Sequence, residues 1–169
     1  LAEPKPDAEV LHKIAFQRQQ RPRFLAIPDF LASRERCLEE GVVDVLPFQL
    51  VTMGAPIADF ANELFAADNY RDYLEVHGLS VQLTEALAEF WHRRVRDELR
   101  LPQGAVSSED PDSINEYFNL KYRGARYSFG YGACPDLESR KVVIDLLEPE
   151  RIGVELSEED FYLSPKRNV

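Results

Sequence analysis

Residues 126–135 read Arg-Tyr-Ser-Phe-Gly-Tyr-Gly-Ala-Cys-Pro, a stretch that mixes glycines and aromatic residues without a sustained hydrophobic period. Such a stretch predicts a loop. Gly130 and Gly132 let the backbone approach a ligand closely, while Arg126 and the preceding Arg123 offer planar donor forks suited to a carboxylate or a phosphate. On the residues alone, a tight connection whose aromatic rings pack inward is the first explanation, and a binding loop is the alternative. The spaced glycines are not a dinucleotide fingerprint, because no alternating strand–helix unit surrounds them.

Upstream of this loop, residues 23–27 (RFLAI) and 42–52 (VVDVLPFQLVT) are rich in β-branched and aromatic residues. Both predict strands, which flank a polar loop of Glu and Arg residues. Pro47 indicates that the second strand lies at an edge or carries a bulge. Residues 1–22 contain three prolines and predict a loosely ordered N-terminal arm with a short helix around 9–20.

After residues 54–56 the apolar period becomes helical for about fifty residues, with an interruption expected near Asn69 or Gly78. One set of apolar residues recurs at three- and four-residue steps and predicts a single buried stripe: Val76, Leu79, Leu83, Leu87, Phe90 and Val95. A polar set follows the same spacing on another face: Glu85, Glu89, His92 and Arg96.

The remaining sequence predicts shorter elements. Residues 101–104 end the long helix. Beyond it we expect a helix over 115–120 with candidate caps in 107–112, an amphipathic helix over 136–147 between two prolines, and strands at 152–156 and 161–163.

The charge balance excludes some classes of partner. Thirty acidic residues against 20 basic ones give a net charge of −10, which disfavours nucleic-acid binding because phosphate contacts need clustered Lys and Arg. No apolar run is long enough for a membrane span, and no signal pattern opens the chain, so we expect a cytoplasmic protein without a membrane partner. Cys37 and Cys134 show no C-x-x-C pairing and are expected to be reduced thiols.

Two further hypotheses, a di-metal site and a nucleophilic cysteine, have less support from the sequence. Glu89 and His92 match the Glu-x-x-His pattern of di-metal carboxylate bundles, and Glu9 with His12 repeats it, but those bundles need two further inward-facing glutamates. Ordinary exposed polar residues explain the pattern more simply. Cys134 precedes a predicted helix start, yet nothing in the sequence places a base beside it, and a buried inert thiol is favoured.

The loop at 126–135 resembles the R-x-x-x-G-Y-P-A-C-P loop of the S-adenosylmethionine-binding activation domain of cobalamin-dependent methionine synthase. The resemblance continues in the family's order from about Phe16 to Glu158. It includes the family's first ligand-binding segment at residues 27–30 (IPDF), its long central helix at 77–92 (HGLSVQLTEALAEFWH), and later matches at 146–148 and 155–158.

The resemblance implies a function. Members of this family bind S-adenosylmethionine and support the reductive methylation of cob(II)alamin to methylcobalamin, which returns oxidised methionine synthase to its methyl-transfer cycle. The implied cofactors are S-adenosylmethionine and cobalamin, the latter held mainly by a partner domain. The implied partners are that corrinoid-binding domain and flavodoxin or a similar reductase. The module is not expected to be active alone, and the resemblance assigns it no catalytic residue.

The resemblance also implies a binding site. Asp29 would hold the ammonium group of S-adenosylmethionine and Arg126 its carboxylate, which suits a zwitterionic ligand. Main-chain groups around Ser128 and the ring of Tyr131 would hold the adenosyl portion. Glu85 would place negative charge near the sulfonium or the docking corrinoid.

The chain departs from the family pattern in ways that keep an alternative open. Gly132 replaces the usual proline of the loop. The resemblance implies that the chain would be truncated at both ends, without roughly the first half of the module and without the closing H-P-x-x-K-Y-like segment. We therefore expect an N-terminal arm at 1–22 and a partial activation domain at 23–169. The expected fold is α+β, with a small twisted, mainly antiparallel sheet packed by a long helix and shorter helices. The alternative function is a non-catalytic module that docks a corrinoid-binding domain.

Overall fold

A computed structural model describes residues 5, 7–99, 111, 113–122, 124–156 and 163–165. Their regular structure is mostly helical. In chain order the elements are a 3-10 helix at Ile27–Phe30, α1 at Arg34–Glu40, α2 at Ala55–Ala66, α3 at Tyr70–Glu98, α4 at Ile114–Phe118, α5 at Arg140–Leu147, a 3-10 helix at Pro149–Ile152, β1 at Val154–Leu156 and β2 at Leu163–Pro165. Some predictions lie outside the described residues: the caps at 107–110 and 112, the helix end at 101–104, the side chain of Arg123 and most of the strand at 161–163.

The predicted α+β fold with a twisted antiparallel sheet is wrong for the described residues. Their strands are β1 and β2, which have three residues each and pair only with one another. Residues 23–27 form no strand, because Arg23 and Phe24 have φ values of +92° and +44°, far from extended backbone. Residues 42–52 have no regular structure and run without a partner strand. Of the three strands expected near residues 24, 46 and 154, only the last is present.

The segment expected to be a polar loop between those strands forms α1 instead. Ser33 caps its first turn by accepting a hydrogen bond from the Arg36 amide at 3.2 Å. Gly41 ends the helix in the left-handed conformation at φ +66°, which glycine adopts without steric cost. An ion pair between Arg36 and Glu40 at 2.9 Å spans one turn of the helix.

The two long helices confirm the predicted break near Asn69. α2 begins at a Gly-Ala-Pro sequence and ends where Asp68 takes a positive φ of +57°. α3 then runs for 29 residues, about 44 Å, and continues through Gly78. The two helices pack against each other, with the Phe65 ring edge-on to Tyr73 at 5.2 Å between ring centroids.

The face of α3 that is shielded from solvent differs from the predicted stripe. Leu79, Leu83 and Phe90 were expected to be buried, but they are 57%, 42% and 58% exposed. The shielded face is rotated toward a mixed set that includes Tyr73, Val76, Ser80, Thr84, Leu87, Glu89, His92, Val95 and Arg96. Part of the polar set expected on the outer face therefore packs inward, and the single tryptophan, Trp91, is exposed beside the Arg94 guanidinium at 5.1 Å.

Tertiary contacts divide the chain into two units, which we call the first and second unit. The first contains the described residues of Leu1–Phe48, Tyr127–Pro149 and Leu156–Leu163, and the second those of Gln49–Arg126, Glu150–Glu155 and Ser164–Val169. In the first unit the buried apolar residues are Ala26, Ile27, Cys134, Val143 and Ile144. In the second unit α2 and α3 supply most of the packing. Among the described residues, no helix has the length and apolar character needed to cross a membrane.

The helix expected around 9–20 differs from the structure, in which these residues have no regular secondary structure. The arm is bonded to other parts of the first unit instead. The Ser139 hydroxyl donates to the Ala15 carbonyl at 3.1 Å, and the Gln19 amide donates to the Leu25 carbonyl at 2.9 Å. The Phe16 ring stacks on Phe129 at 6.4 Å. These tertiary contacts outweigh a weak helical pattern.

Candidate functional site

The glycine-rich loop is a hydrogen-bonded structure in the first unit. The Gly130 amide donates to the Cys134 carbonyl and the Cys134 amide to the Tyr131 carbonyl, both at 2.9 Å, which forms an isolated antiparallel bridge. Gly130 has φ +88°, and a β-carbon there would lie 3.0 Å from Leu137 Cδ2. Glycine is required at this position both for its conformation and for the space it leaves.

Cys134 has a structural place in this loop. Its side chain is buried, its thiol donates to the Ser128 carbonyl at 2.9 Å, and burial raises its pKa above the ordinary value. A raised pKa keeps the thiol protonated at neutral pH, whereas a nucleophilic cysteine needs a lowered one. The contacts fit the inert thiol that the sequence favours.

The loop places two of the expected site residues in the first unit. Ser128 uses its carbonyl to accept from Cys134, and the Tyr131 side chain is 74% exposed. The ring of Phe30 lies 5.8 Å from that of Tyr127, so the segment that carries Asp29 lies beside the loop that carries Ser128. An exposed tyrosine ring on a fixed loop can stack against a planar base.

Asp29 forms a tight ion pair within the first unit. Arg18 donates through both terminal nitrogens to its two carboxylate oxygens, at 2.6 and 2.7 Å, and the Ala26 amide donates at 2.9 Å. These bonds, with the side-chain bond from Arg18 the strongest influence, lower the pKa of Asp29 from 3.8 to about 2. Asp29 is therefore a carboxylate at physiological pH and can hold a cation.

Arg126 lies in the second unit, where it is paired with Glu89 of α3. The Arg126 Nη1 group donates to Glu89 Oε2, and the Tyr122 hydroxyl donates to the same oxygen at 3.0 Å. The other oxygen, Glu89 Oε1, lies 3.9 Å from Arg96 Nη2. Arg96 is buried and its guanidinium lies over the Tyr122 ring, 4.2 Å from the centroid. We call Glu89, Arg96, Tyr122 and Arg126 the Glu89 cluster.

Glu85 lies one turn before Glu89 on α3 and is exposed. The expected site residues thus form two groups, with Asp29, Ser128 and Tyr131 in the first unit and Arg126 and Glu85 in the second. The sequence reading missed Arg18, Glu89 and Tyr122 as partners of these residues. The helical spacing of Glu89 and Arg96 is the feature of the sequence that could have revealed these partners. The sequence analysis interprets it as an exposed polar face.

The structure does not support the hypothesis of a di-metal carboxylate site. Within the described part of the chain, no three His, Cys, Asp or Glu residues cluster in a way that could hold a metal ion. Glu9 and His12 lie in irregular chain, so their spacing does not place them on one helical face. Glu89 is occupied by the phenol and guanidinium donors of its cluster.

Comparison with known proteins identifies a family that matches this chain. The family model described as "Vitamin B12 dependent methionine synthase, activation domain" matches residues 2–169. The chain is 68% identical over its whole length to a methionine synthase of Mycobacterium tuberculosis and 62% identical to one of Mycobacterium leprae, and it spans 14% of the length of each.

A solved structure is also similar. It is described as the MetH reactivation domain bound to AdoHcy, has 30% sequence identity and a TM-score of 0.57, and the match covers 68% of this chain and 34% of that one. With the family model matched over nearly every residue, the chain belongs to the activation-domain family of vitamin B12-dependent methionine synthase.

Proposed function

We propose that this chain binds S-adenosylmethionine and supports the reductive methylation of cob(II)alamin to methylcobalamin, so that it reactivates methionine synthase. The observation that carries the proposal is the match to the activation-domain family over residues 2–169. The similar reactivation domain is described as bound to AdoHcy, which is what S-adenosylmethionine becomes when it loses its methyl group.

The ionised side chains of the two units suit the ends of this ligand. Asp29 is ionised, and a carboxylate has about four acceptor positions, of which Arg18 and the Ala26 amide use three. One position is left for the ligand ammonium. Arg126 uses one of its five N–H donors on Glu89, so the others can bind the ligand carboxylate.

The remaining assignments come from the resemblance, and the exposure of the side chains is compatible with them. The Tyr131 ring is open to solvent and would stack on the adenine, while the main chain at Ser128 would bind the sugar or base. Glu85 is exposed on α3 and would place negative charge near the sulfonium. Cobalamin, when bound by its own domain, supplies the methyl-carrier chemistry, and the residues of this chain contribute by positioning the methyl donor.

The partners of this reaction are part of the proposal. The chain spans 14% of the length of its curated relatives, and a corrinoid-binding domain, supplied by the same gene or another, would present cobalamin. Flavodoxin or a similar reductase would supply one electron for each reactivation. The cytoplasmic location stays a prediction.

Isothermal calorimetry with S-adenosylmethionine tests the proposal. We expect binding by the wild type and a loss of at least tenfold, about 1.4 kcal/mol, in both Asp29→Asn and Arg126→Gln, because each change removes a charge-assisted contact. Asp59→Asn and Arg71→Gln are the matched controls, since both residues lie on exposed helix faces, and they should bind as the wild type does. A wild type that does not bind would overturn the proposal.

A second candidate is a non-catalytic module that docks a corrinoid-binding domain. The observation that favours it is that Asp29 and Arg126 both already have internal ion partners in the structure. Retained affinity for a cobalamin domain, together with no heat from S-adenosylmethionine, would select this candidate.

A further inference from the structure

The Glu89 cluster has an unusual distribution of charge. One carboxylate, that of Glu89, contacts two guanidinium groups, and the side chains of Arg126 and Glu89 are only 29% and 28% exposed. Two ionised arginines that contact one carboxylate repel each other where solvent is partly excluded. Glu89 is the group that allows Arg96 and Arg126 to lie together.

The two arginines differ in their freedom to move. Arg96 is on α3, its side chain is 6% exposed, and its guanidinium is held over the Tyr122 ring. Arg126 is in irregular chain after Gly124, and within the described residues its side chain is bonded to Glu89. Without the Glu89 charge, Arg126 is the residue that would leave.

Tyr122 fixes the start of the segment that carries Arg126. Its hydroxyl donates to Glu89, the edge of the His92 ring meets its ring at 5.5 Å, and Arg96 covers it. Gly124 then passes close to His92, where a β-carbon would lie 3.4 Å from Nε2. The backbone is thereby held on α3, and the remaining freedom of Arg126 is in its side chain.

We propose that Glu89 is a positioning residue: it holds Nη1 of Arg126 so that the other donors of the guanidinium face a ligand carboxylate. This inference rests on the proposed function and adds a residue to it. Glu89 touches no ligand atom in this arrangement and acts through Arg126. Its carboxylate would oppose an incoming anion, but the loss of Arg126 from its position outweighs the removal of that opposition because the ligand carboxylate then has no fixed donor pair.

Calorimetry on Glu89→Gln with two ligands tests the inference. S-adenosylmethionine should bind about tenfold more weakly than to the wild type, whereas its decarboxylated analogue, which has no group for Arg126, should bind equally to both. Glu98→Gln removes a carboxylate from Arg94 on the same helix and should change neither affinity. In an Arg126→Gln background, Glu89→Gln should have no further effect on S-adenosylmethionine, because its action passes through Arg126.

The outcomes separate the inference from the function on which it rests. Loss of both ligands alike in Glu89→Gln would mean a general structural role, and tighter binding of S-adenosylmethionine would mean that Glu89 competes with the ligand; either result overturns the inference alone. A wild type that binds neither ligand overturns the proposed function.

A ligand-free measurement tests the cluster itself. Burial and the bond to Glu89 raise the pKa of Tyr122 above 10.0. NMR titration should show that this pKa falls in Glu89→Gln, with Tyr122→Phe used to assign the signal. An unchanged Tyr122 pKa would show that Glu89 does not hold the cluster, and would overturn the inference whether or not a ligand binds.

Discussion

Asp29 and Arg126 each have an opposite charge from their own unit beside them. Arg18 makes a two-bond contact with Asp29, and Glu89 is bonded to Arg126. Such partners keep a charged group oriented and ionised before a ligand arrives, at the cost of competing for some of its hydrogen-bonding positions. The same contact therefore both prepares a binding residue and limits it.

The Arg18 contact can be measured through the titration of Asp29. We expect Arg18→Gln to raise the pKa of Asp29 from about 2 toward 3.8, because it removes the largest cause of the lowering. The stabilisation from this ion pair is fully present above pH 3.8 and is lost as the pH falls through about 2, so Arg18→Gln should reduce acid stability mainly in that window.

Carboxyl NMR titration checks this prediction. Arg21→Gln is the control. Arg21 is an exposed arginine three residues after Arg18, and it is not among the causes of the lowered Asp29 pKa. An Asp29 pKa that stays near 2 in Arg18→Gln would contradict the prediction.

At the scale of elements, two glycines should respond oppositely to the same substitution. Gly130→Ala forces a side chain into a left-handed conformation and toward Leu137, and we expect it to lower the free energy of unfolding by about 1–2 kcal/mol. Gly78→Ala lies inside α3, where the added β-carbon meets nothing within 4 Å, and it should raise that free energy by about 0.5–1 kcal/mol.

Chemical denaturation followed by circular dichroism would compare the two variants with the wild type. The helical Gly78 variant is the matched control for the loop variant. Equal effects of the same sign would show that the loop conformation at Gly130 is not fixed as described.

The helices from α2 onward were the predictable part of the fold, whereas the helix expected around 9–20 is absent from the structure. Local sequence determines two of their boundaries, the break between α2 and α3 near Asn69 and the end of α5 at Leu147. The helical period and the flanking prolines indicate such boundaries directly. α1 was missed although Ser33 and Gly41 are cap residues, because five of its seven residues are charged and its two apolar residues, Cys37 and Leu38, are adjacent and show no helical period. The residues at 42–52 have the composition of a strand. Such a composition indicates that a segment suits a half-buried surface, but it does not show that a partner strand is present.

The candidate site residues come from the resemblance alone, which lies in the loop at 126–135, the segment at 27–30 and the helix at 77–92. The family motif led to Asp29, Arg126, Ser128, Tyr131 and Glu85, whose roles remain proposals. Their partners could not be found in this way, because Arg18 lies 11 residues from Asp29 and Glu89 lies 37 residues from Arg126. Spacing on one helix predicts neighbours within a few turns, whereas these pairs depend on how distant segments pack.

At the scale of the whole molecule, the described residues bury little apolar surface. No large described side chain is less than 2% exposed, and Leu74, Leu79, Phe90, Ile114 and Phe118 are all more than half exposed. Because the denaturant dependence of unfolding scales with the surface exposed, we expect a shallow urea transition for this chain, with an m value at or below about 1 kcal/mol/M.

Urea titration followed by circular dichroism measures this slope, and a compact domain of similar length is the comparison. An m value in the range of such a domain would show that the chain buries far more apolar surface than its described contacts indicate.

The placement of Trp91 has a practical consequence for all of these experiments. It is the only tryptophan of the chain, and it lies on α3 two residues after Glu89. Its fluorescence therefore reports on the surroundings of α3, and the first unit contains no tryptophan of its own. Far-ultraviolet circular dichroism reports on every helix. Measured together with Trp91 fluorescence, it can show whether the two units unfold together or one after the other.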